Sequence, residues 1–270
     1  MSESNLTFFP PTRDRRAAIA AGFRFGHIGT HTSRTIMLEE LSATFAAVPV
    51  DGKSADYATA VVEDNCLGKQ TVSTRRLTFQ RLRELYALDP NVPIFRILRR
   101  LWNVDKESGP LVALLASLAR DPLLLATADV IIGLPQGTEF QRTAMREALA
   151  KAVEDRFNES TLNKVVRNAA SSWSQSGHLQ GRTFKFRREV HPTPAAIAFG
   201  LYLARAAGFA VKESLSSGWI KVLDCSASEA LELATAAKRL LLLDLRMSGD
   251  VIDLHLDRLD PAYLAAQQMR

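Results

Sequence analysis

Lysines and arginines held in two tight clusters are the residues of this sequence best suited to chemistry, and that chemistry is the binding of phosphate. From Lys69 to Arg100 the chain carries Lys69, Arg75, Arg76, Arg81, Arg83, Arg96, Arg99 and Arg100 against Glu84 and Asp89 alone. From Ser160 to His191 it carries Lys164, Arg167, Arg182, Lys185, Arg187 and Arg188 against Glu189. Such unevenness is the footprint of a surface for polyanions, although a solvated basic face gives a similar pattern. The residues expected to meet DNA are Lys69, Arg75, Arg76 and Arg83 in the first cluster and Lys164, Arg167, Asn168, Arg182, Lys185, Arg187 and Arg188 in the second. Asn168 enters because a carboxamide can pair with an adenine edge, whereas Lys185 and Arg187 are expected to reach phosphate only.

The sequence offers little for catalysis. His27 and His31 would share a helical face, as zinc ligands can, but Gly26 and Gly29 argue against a helix there and no acidic third ligand is evident. His178, His191 and His255 have no nucleophile pattern nearby, and neither a phosphate-cradling glycine loop nor a nucleophile elbow occurs. Glu63 with Asp64 reads as a solvated helix end. Cys66 and Cys225 form neither a metal pair nor a disulfide framework. The expectation is a protein that is not an enzyme, with no cofactor, no metal and no small-molecule substrate.

The elements that must position the basic residues are helices. Hydrophobic residues make up 47% and charged residues 23%, as in ordinary globular chains, while aromatics reach only 7% and Ala and Leu are abundant. The expected fold is mainly α: helical bundle subdomains with helix-turn-helix elements and short winged β-hairpins. Apolar spacing predicts helices over Arg34–Ala47 and Ala55–Asp64, a turn at Asn65–Gly68, and a basic helix starting at Thr71 or Ser73 with Phe79, Leu82 and Tyr86 on its inner face. Pro93, Pro110, Pro122 and Pro135 break the following stretch into short packed helices. A longer helix is expected over Phe140–Phe157. After a polar turn comes the clearest stripe of the chain, Leu162, Val165, Val166, Ala169 and Trp173. Arg182 to Arg188 then reads as a strand with Phe184 and Phe186 on an apolar face and Lys185 and Arg187 on a basic one.

Four segments follow: a flexible start over 1–24, a helical bundle with a basic helix-turn-helix over 25–135, a winged helix-turn-helix-like part over 136–191, and a helix-helix-hairpin part over 192–270. The last is expected to contain helices at Pro194–Ala207 and Ala227–Leu240 and a hairpin turning through Ser248, Gly249 and Asp250. Its Asp244, Asp250 and Asp253 suit packing or partner binding better than DNA.

A net charge of +5 and a pI near 9.4 fit an anionic partner without demanding one. The first sixteen residues are polar and lack the apolar stretch of a secretory signal, so a cytoplasmic location is expected. The most apolar stretch, Leu111 to Leu134, is interrupted by Arg120, Asp121, Pro122 and Asp129 and does not supply the roughly 20 apolar residues a bilayer needs.

These segments resemble the BrxA family of the BREX phage-defence systems. The resemblance rests on Asn65, Leu67 and Lys69 followed by Ser73, Thr74 and Arg75, on Leu85, Tyr86 and Leu88, and on Ser160, Thr161, Lys164 and Val165 at the start of the helix that ends near Gly177. It covers roughly Phe25 to His191. It implies a helical fold related in shape to the antitermination factor NusB, double-stranded DNA as ligand, and other BREX proteins, the methyltransferase among them, as partners. It carries over no catalytic residue, and it does not extend to the segment after His191. The alternative reading is an RNA-binding or protein-bridging module of the NusB shape, which the scarcity of aromatics among the basic residues makes a poor single-strand stacker.

Overall fold

A helix needs partners for its first amides, and this chain supplies them with hydroxyls, Asn and prolines. The computed structural model describes residues 6–11, 15–154, 156–249 and 251–262. Helix α1 spans Arg16–Ala21, α2 Leu38–Ala47, and α3 Ser54–Ala58, which runs on into a wider π turn over Thr59–Glu63. Thr71 caps α4 (Val72–Tyr86) by accepting the Thr74 amide at 3.1 Å. Then come α5 (Pro93–Val104), α6 (Gly109–Arg120), α7 (Pro122–Leu125) and α8 (Ala128–Ile132). The prolines at 93, 110 and 122 lie in first turns. They break the chain by starting helices, since the ring presets φ and the missing N–H is one that the first turn does not use.

The second half holds α9 (Arg142–Ala152), α10 (Glu159–Gln175), β1 (Leu179–Gln180), β2 (Phe186–Arg187), α11 (Pro194–Ala206), α12 (Val211–Ser214), α13 (Gly218–Lys221), α14 (Ala227–Arg239), β3 (Asp244–Ser248) and β4 (Val251–His255). Helix α9 is shorter than the Phe140–Phe157 pattern because the backbone turns left-handed at Glu154. The strands pair antiparallel within each hairpin, and Glu139 bridges Phe186 on the far side of β2. The fold is therefore mainly α, with two small two-stranded sheets. Over 192–270 the helices near Pro194–Ala207 and Ala227–Leu240 and the hairpin occur as expected, but two short helices, α12 and α13, stand between the two helices; Asp155, Asp250 and the outer ends of segments 1–24 and 192–270 lie outside the described residues.

Helices α6 and α11 form the centre. Every residue from Leu111 to Ala119 is buried, as is nearly all of Pro194–Ala204, which is why both helices are apolar all round instead of striped. One continuous apolar cluster runs from Phe8 to Leu259, so the four segments share a core. The expected flexible start is corrected over its described part: Phe8, Ala18, Ala21 and Phe23 are buried, and the Trp219 indole donates to the Phe8 carbonyl at 2.7 Å. Trp219 packs edge-on against Phe8, Phe9 and Phe23 at centroid distances of 5.0, 6.1 and 5.4 Å. No single helix among the described residues is long and apolar enough to cross a membrane.

Candidate nucleic-acid interface

Helix α9, a turn, α10 and the β1–β2 hairpin follow one another, with α10 held from below by the expected stripe. Leu162, Val165, Val166, Ala169 and Trp173 are all buried, and the Trp173 indole donates to Thr127 Oγ1 at 2.8 Å. Asn158 caps α10 by accepting the Thr161 amide at 2.8 Å. Burying one face fixes what the opposite face presents: Lys164 and Arg167, one helical turn apart, both exposed. Asn168 is different. It is half-buried and its amide donates to the His31 carbonyl at 2.9 Å, so the side chain expected to read adenine is spent on holding the 30–32 turn against α10.

The hairpin corrects the sequence reading more sharply, because its faces are inverted. Arg187 is 4% exposed: it donates from Nε to the Ile131 carbonyl at 2.9 Å, donates to the Arg188 carbonyl and forms an ion pair with Asp224. Phe184 and Phe186 face outward, 63% and 42% exposed. Lys185 is half-buried and donates to Ser174 Oγ at 2.7 Å, tying the wing to α10; burial and the nearby Arg142 hold its ammonium below the ordinary lysine pKa. Alternation by two decides which residues share a face but not which face is inward, and here the carboxylate of Asp224 waits on the inner side. What remains for phosphate on the wing is Arg182, exposed at the loop, and Arg188, exposed with its Nε bonded to Gln180 Oε1 at 2.7 Å.

The first basic cluster is mostly consumed by the fold. Lys69 pairs with Glu40 at 3.1 Å, and Arg75 donates to the Val62 and Glu63 carbonyls at 2.7 and 3.2 Å. Arg81 pairs with Glu84, Arg96 with Asp260, and Arg99 is buried. Of the four residues expected there to meet DNA, Arg76 and Arg83 stand exposed, Arg83 lying 5.7 Å from the centre of the Phe79 ring. A cleft of about 440 Å³ beside them is lined by Arg24, Arg83 and Arg120 but also by Glu84 and Asp89, a mixed environment less suited to phosphate. Burial and the neighbouring Arg24 push the Arg120 guanidinium down to about 10.

Sequence reasoning missed two features. Arg142 opens α9 close to Lys185 and is exposed, and the paired Phe184 and Phe186 stand outside among cations. Arg142 was legible as a cation at a helix start; the outward rings were not, since two aromatics on an alternating strand normally point inward.

A Ser-His-Asp arrangement is also present, from residues far apart in sequence. His31 Nδ1 lies 2.8 Å from Asp121 Oδ2, and Nε2 lies 2.8 Å from Ser172 Oγ. Geometry alone would suggest a nucleophile, but access and the other bonds decide otherwise. His31, Asp121 and Ser172 are buried, and the serine oxygen also accepts the Ile36 amide at 3.0 Å and lies 2.9 Å from the Asn168 carbonyl. Asp121 in turn accepts the amides of His31, Leu123 and Leu124. Burial alone would raise its carboxyl, but His31 and these amides hold it below the usual carboxylate range. The trio locks the 30–32 turn between α6, α7 and α10. No cluster of three or more His, Cys, Asp or Glu able to hold a metal occurs among the described residues.

Comparison with protein-family models and with curated proteins finds no match for this chain.

Proposed function

We propose that this protein binds double-stranded DNA and performs no chemistry on it, acting as an accessory component of a BREX phage-defence system. The observation that carries the DNA reading is the set of exposed cations Lys164, Arg167, Arg182 and Arg188 on a helix and wing that follow a helix and a turn. A helix of this kind fits the major groove while the wing reaches neighbouring phosphates. Arg142 extends the same set, and Arg76 and Arg83 offer a second, smaller one. The defence context rests on the resemblance of Asn65–Arg75 and Ser160–Val165 to the BrxA family; neighbouring genes for a methyltransferase and a large ATPase are its expected companions.

The test is fluorescence anisotropy with a duplex DNA across a salt series. Log K should fall with log salt by about 0.9 per phosphate neutralised. Changing Lys164, Arg167, Arg182 and Arg188 together to Ala should weaken binding at least tenfold and flatten the slope by roughly 3.6 units if each cation meets one phosphate. An unchanged slope in the folded variant would sink the assignment. A specific observation favours one other reading. Phe184 and Phe186 stand exposed between Arg182 and Arg188, a pattern on which unpaired bases stack. Tighter binding of a single-stranded RNA of equal length, lost on changing both Phe to Ala, would favour that alternative.

A further inference from the structure

Away from α10, a cavity of about 330 Å³ opens between α5 and the 50–52 turn, large enough for a small molecule of roughly ten heavy atoms or somewhat more. Its walls are mainly apolar, from Val50, Pro90, Phe95, Pro261 and the stems of Arg96, Arg99 and Arg100. Three guanidinium groups on one face of one helix are unusual around an apolar space, and their partners are unequal. Arg96 is neutralised by a two-pronged pair with Asp260, at 2.8 and 2.6 Å. Arg99 is 6% exposed and has no carboxylate partner among the described residues: it donates to the Phe45 and Val48 carbonyls at 3.0 and 2.7 Å, lies over the Phe45 ring, and its Nε finds no acceptor among them. The buried hydroxyl of Tyr57 lies against the Arg99 guanidinium. Arg100 is half-buried, donates to the Arg258 carbonyl and forms no ion pair among the described residues, though the Asp260 carboxylate acts on it. Asp51 at the rim is the one carboxylate among the lining residues.

A buried cation without an anion is costly, and Arg99 is such a cation at the wall of this opening, with the half-buried Arg100 beside it. We propose that this cavity binds a small organic anion, a carboxylate or phosphate carried on an apolar ring, with the ring against Phe95, Pro90 and Val50 and the charge toward Arg99 and Arg100. Arg presents a planar fork to either head group. The site is separate from the DNA-binding surface and does not depend on it.

Isothermal titration of the full chain with four probes tests this: benzoate, phenyl phosphate, neutral benzamide and inorganic phosphate. Either benzoate or phenyl phosphate should bind with a 1:1 saturable isotherm, at least tenfold tighter than benzamide and inorganic phosphate, and the stronger of the two identifies the head group. Arg99→Met should reduce that affinity at least tenfold. Because Arg99 also braces α2, Val50→Trp serves as the second variant; it fills the mouth from an exposed position without removing charge and should abolish binding equally. Absence of binding by both anions, equal binding of benzamide, or anion binding unaltered in Val50→Trp would each overturn the proposal.

Discussion

His178 is a sensitive single residue of the core. It is fully buried, its Nδ1 meeting Ser176 Oγ at 2.9 Å and its Nε2 the Val222 carbonyl at 2.8 Å, with the ring edge-on to Trp173. Burial drives its pKa down to about 4, against the pull of Asp224. The native state thus refuses a proton that the unfolded chain accepts at about 6.5. The associated stability is complete above pH 6.5, falls as the pH drops toward 4, and is then gone, a loss of about 3 kcal/mol. Urea unfolding at pH 7, 5.5 and 4.5 should track that decline, and the His178 ring signals in NMR should stay those of a neutral imidazole at pH 5.5. Asp121 adds a further loss at still lower pH, because its depressed carboxyl stabilises the fold above the ordinary carboxylate pKa and ceases to do so once protonated. Arg187 belongs at this scale too. Arg187→Met should cost about 3–5 kcal/mol in stability by stranding Asp224 near the base of the wing, whereas Arg188→Ala should leave stability unchanged and weaken DNA binding. If both variants unfold at the wild-type denaturant midpoint, the burial of Arg187 has no energetic meaning.

At the scale of elements, the wing depends on its first loop residue. Gly181 has φ +123°, and a Cβ there would run into the Phe184 carbonyl oxygen. Gly181→Ala should therefore displace Arg182 and Phe184, lowering DNA affinity several-fold while circular dichroism stays unchanged; wild-type affinity would show that the loop makes no contact. The helices themselves were largely legible. The stripe on α10, the Thr71 cap, the turn at Asn65–Gly68 and the two longer helices and hairpin of 192–270 follow from apolar spacing, hydroxyl positions and glycine. Two things were not. The Arg182–Arg188 alternation was read with its faces reversed, because the partner that draws Arg187 inward lies 37 residues later. The basic cluster on α4 and α5 looked like one surface, yet Lys69, Arg75, Arg81, Arg96 and Arg99 are each claimed by a carboxylate or carbonyl elsewhere in the chain. A count of charges cannot separate a guanidinium that faces water from one that ties two helices together.

At the scale of the whole molecule, the last sixty residues cannot be a detachable appendage. Trp219 fills the space between Phe8, Phe9 and Phe23, α14 packs on α11, and Asp260 holds Arg96. Ending the chain after Ala210 should give a protein without a cooperative thermal transition; a folded truncation would mean that α5, α6 and α11 suffice as a core. The contact of Phe8 with Trp219 also bears on how the protein comes into being. Phe8 meets the Trp219 indole only after more than two hundred further residues have been made. Until then Phe8 is bare apolar surface on a growing chain, although α1 can already close against α5 and α11. The segment around Phe8 is thus among the last to be finished, and a nascent chain stalled before Trp219 should be held by chaperones instead of standing as a complete fold.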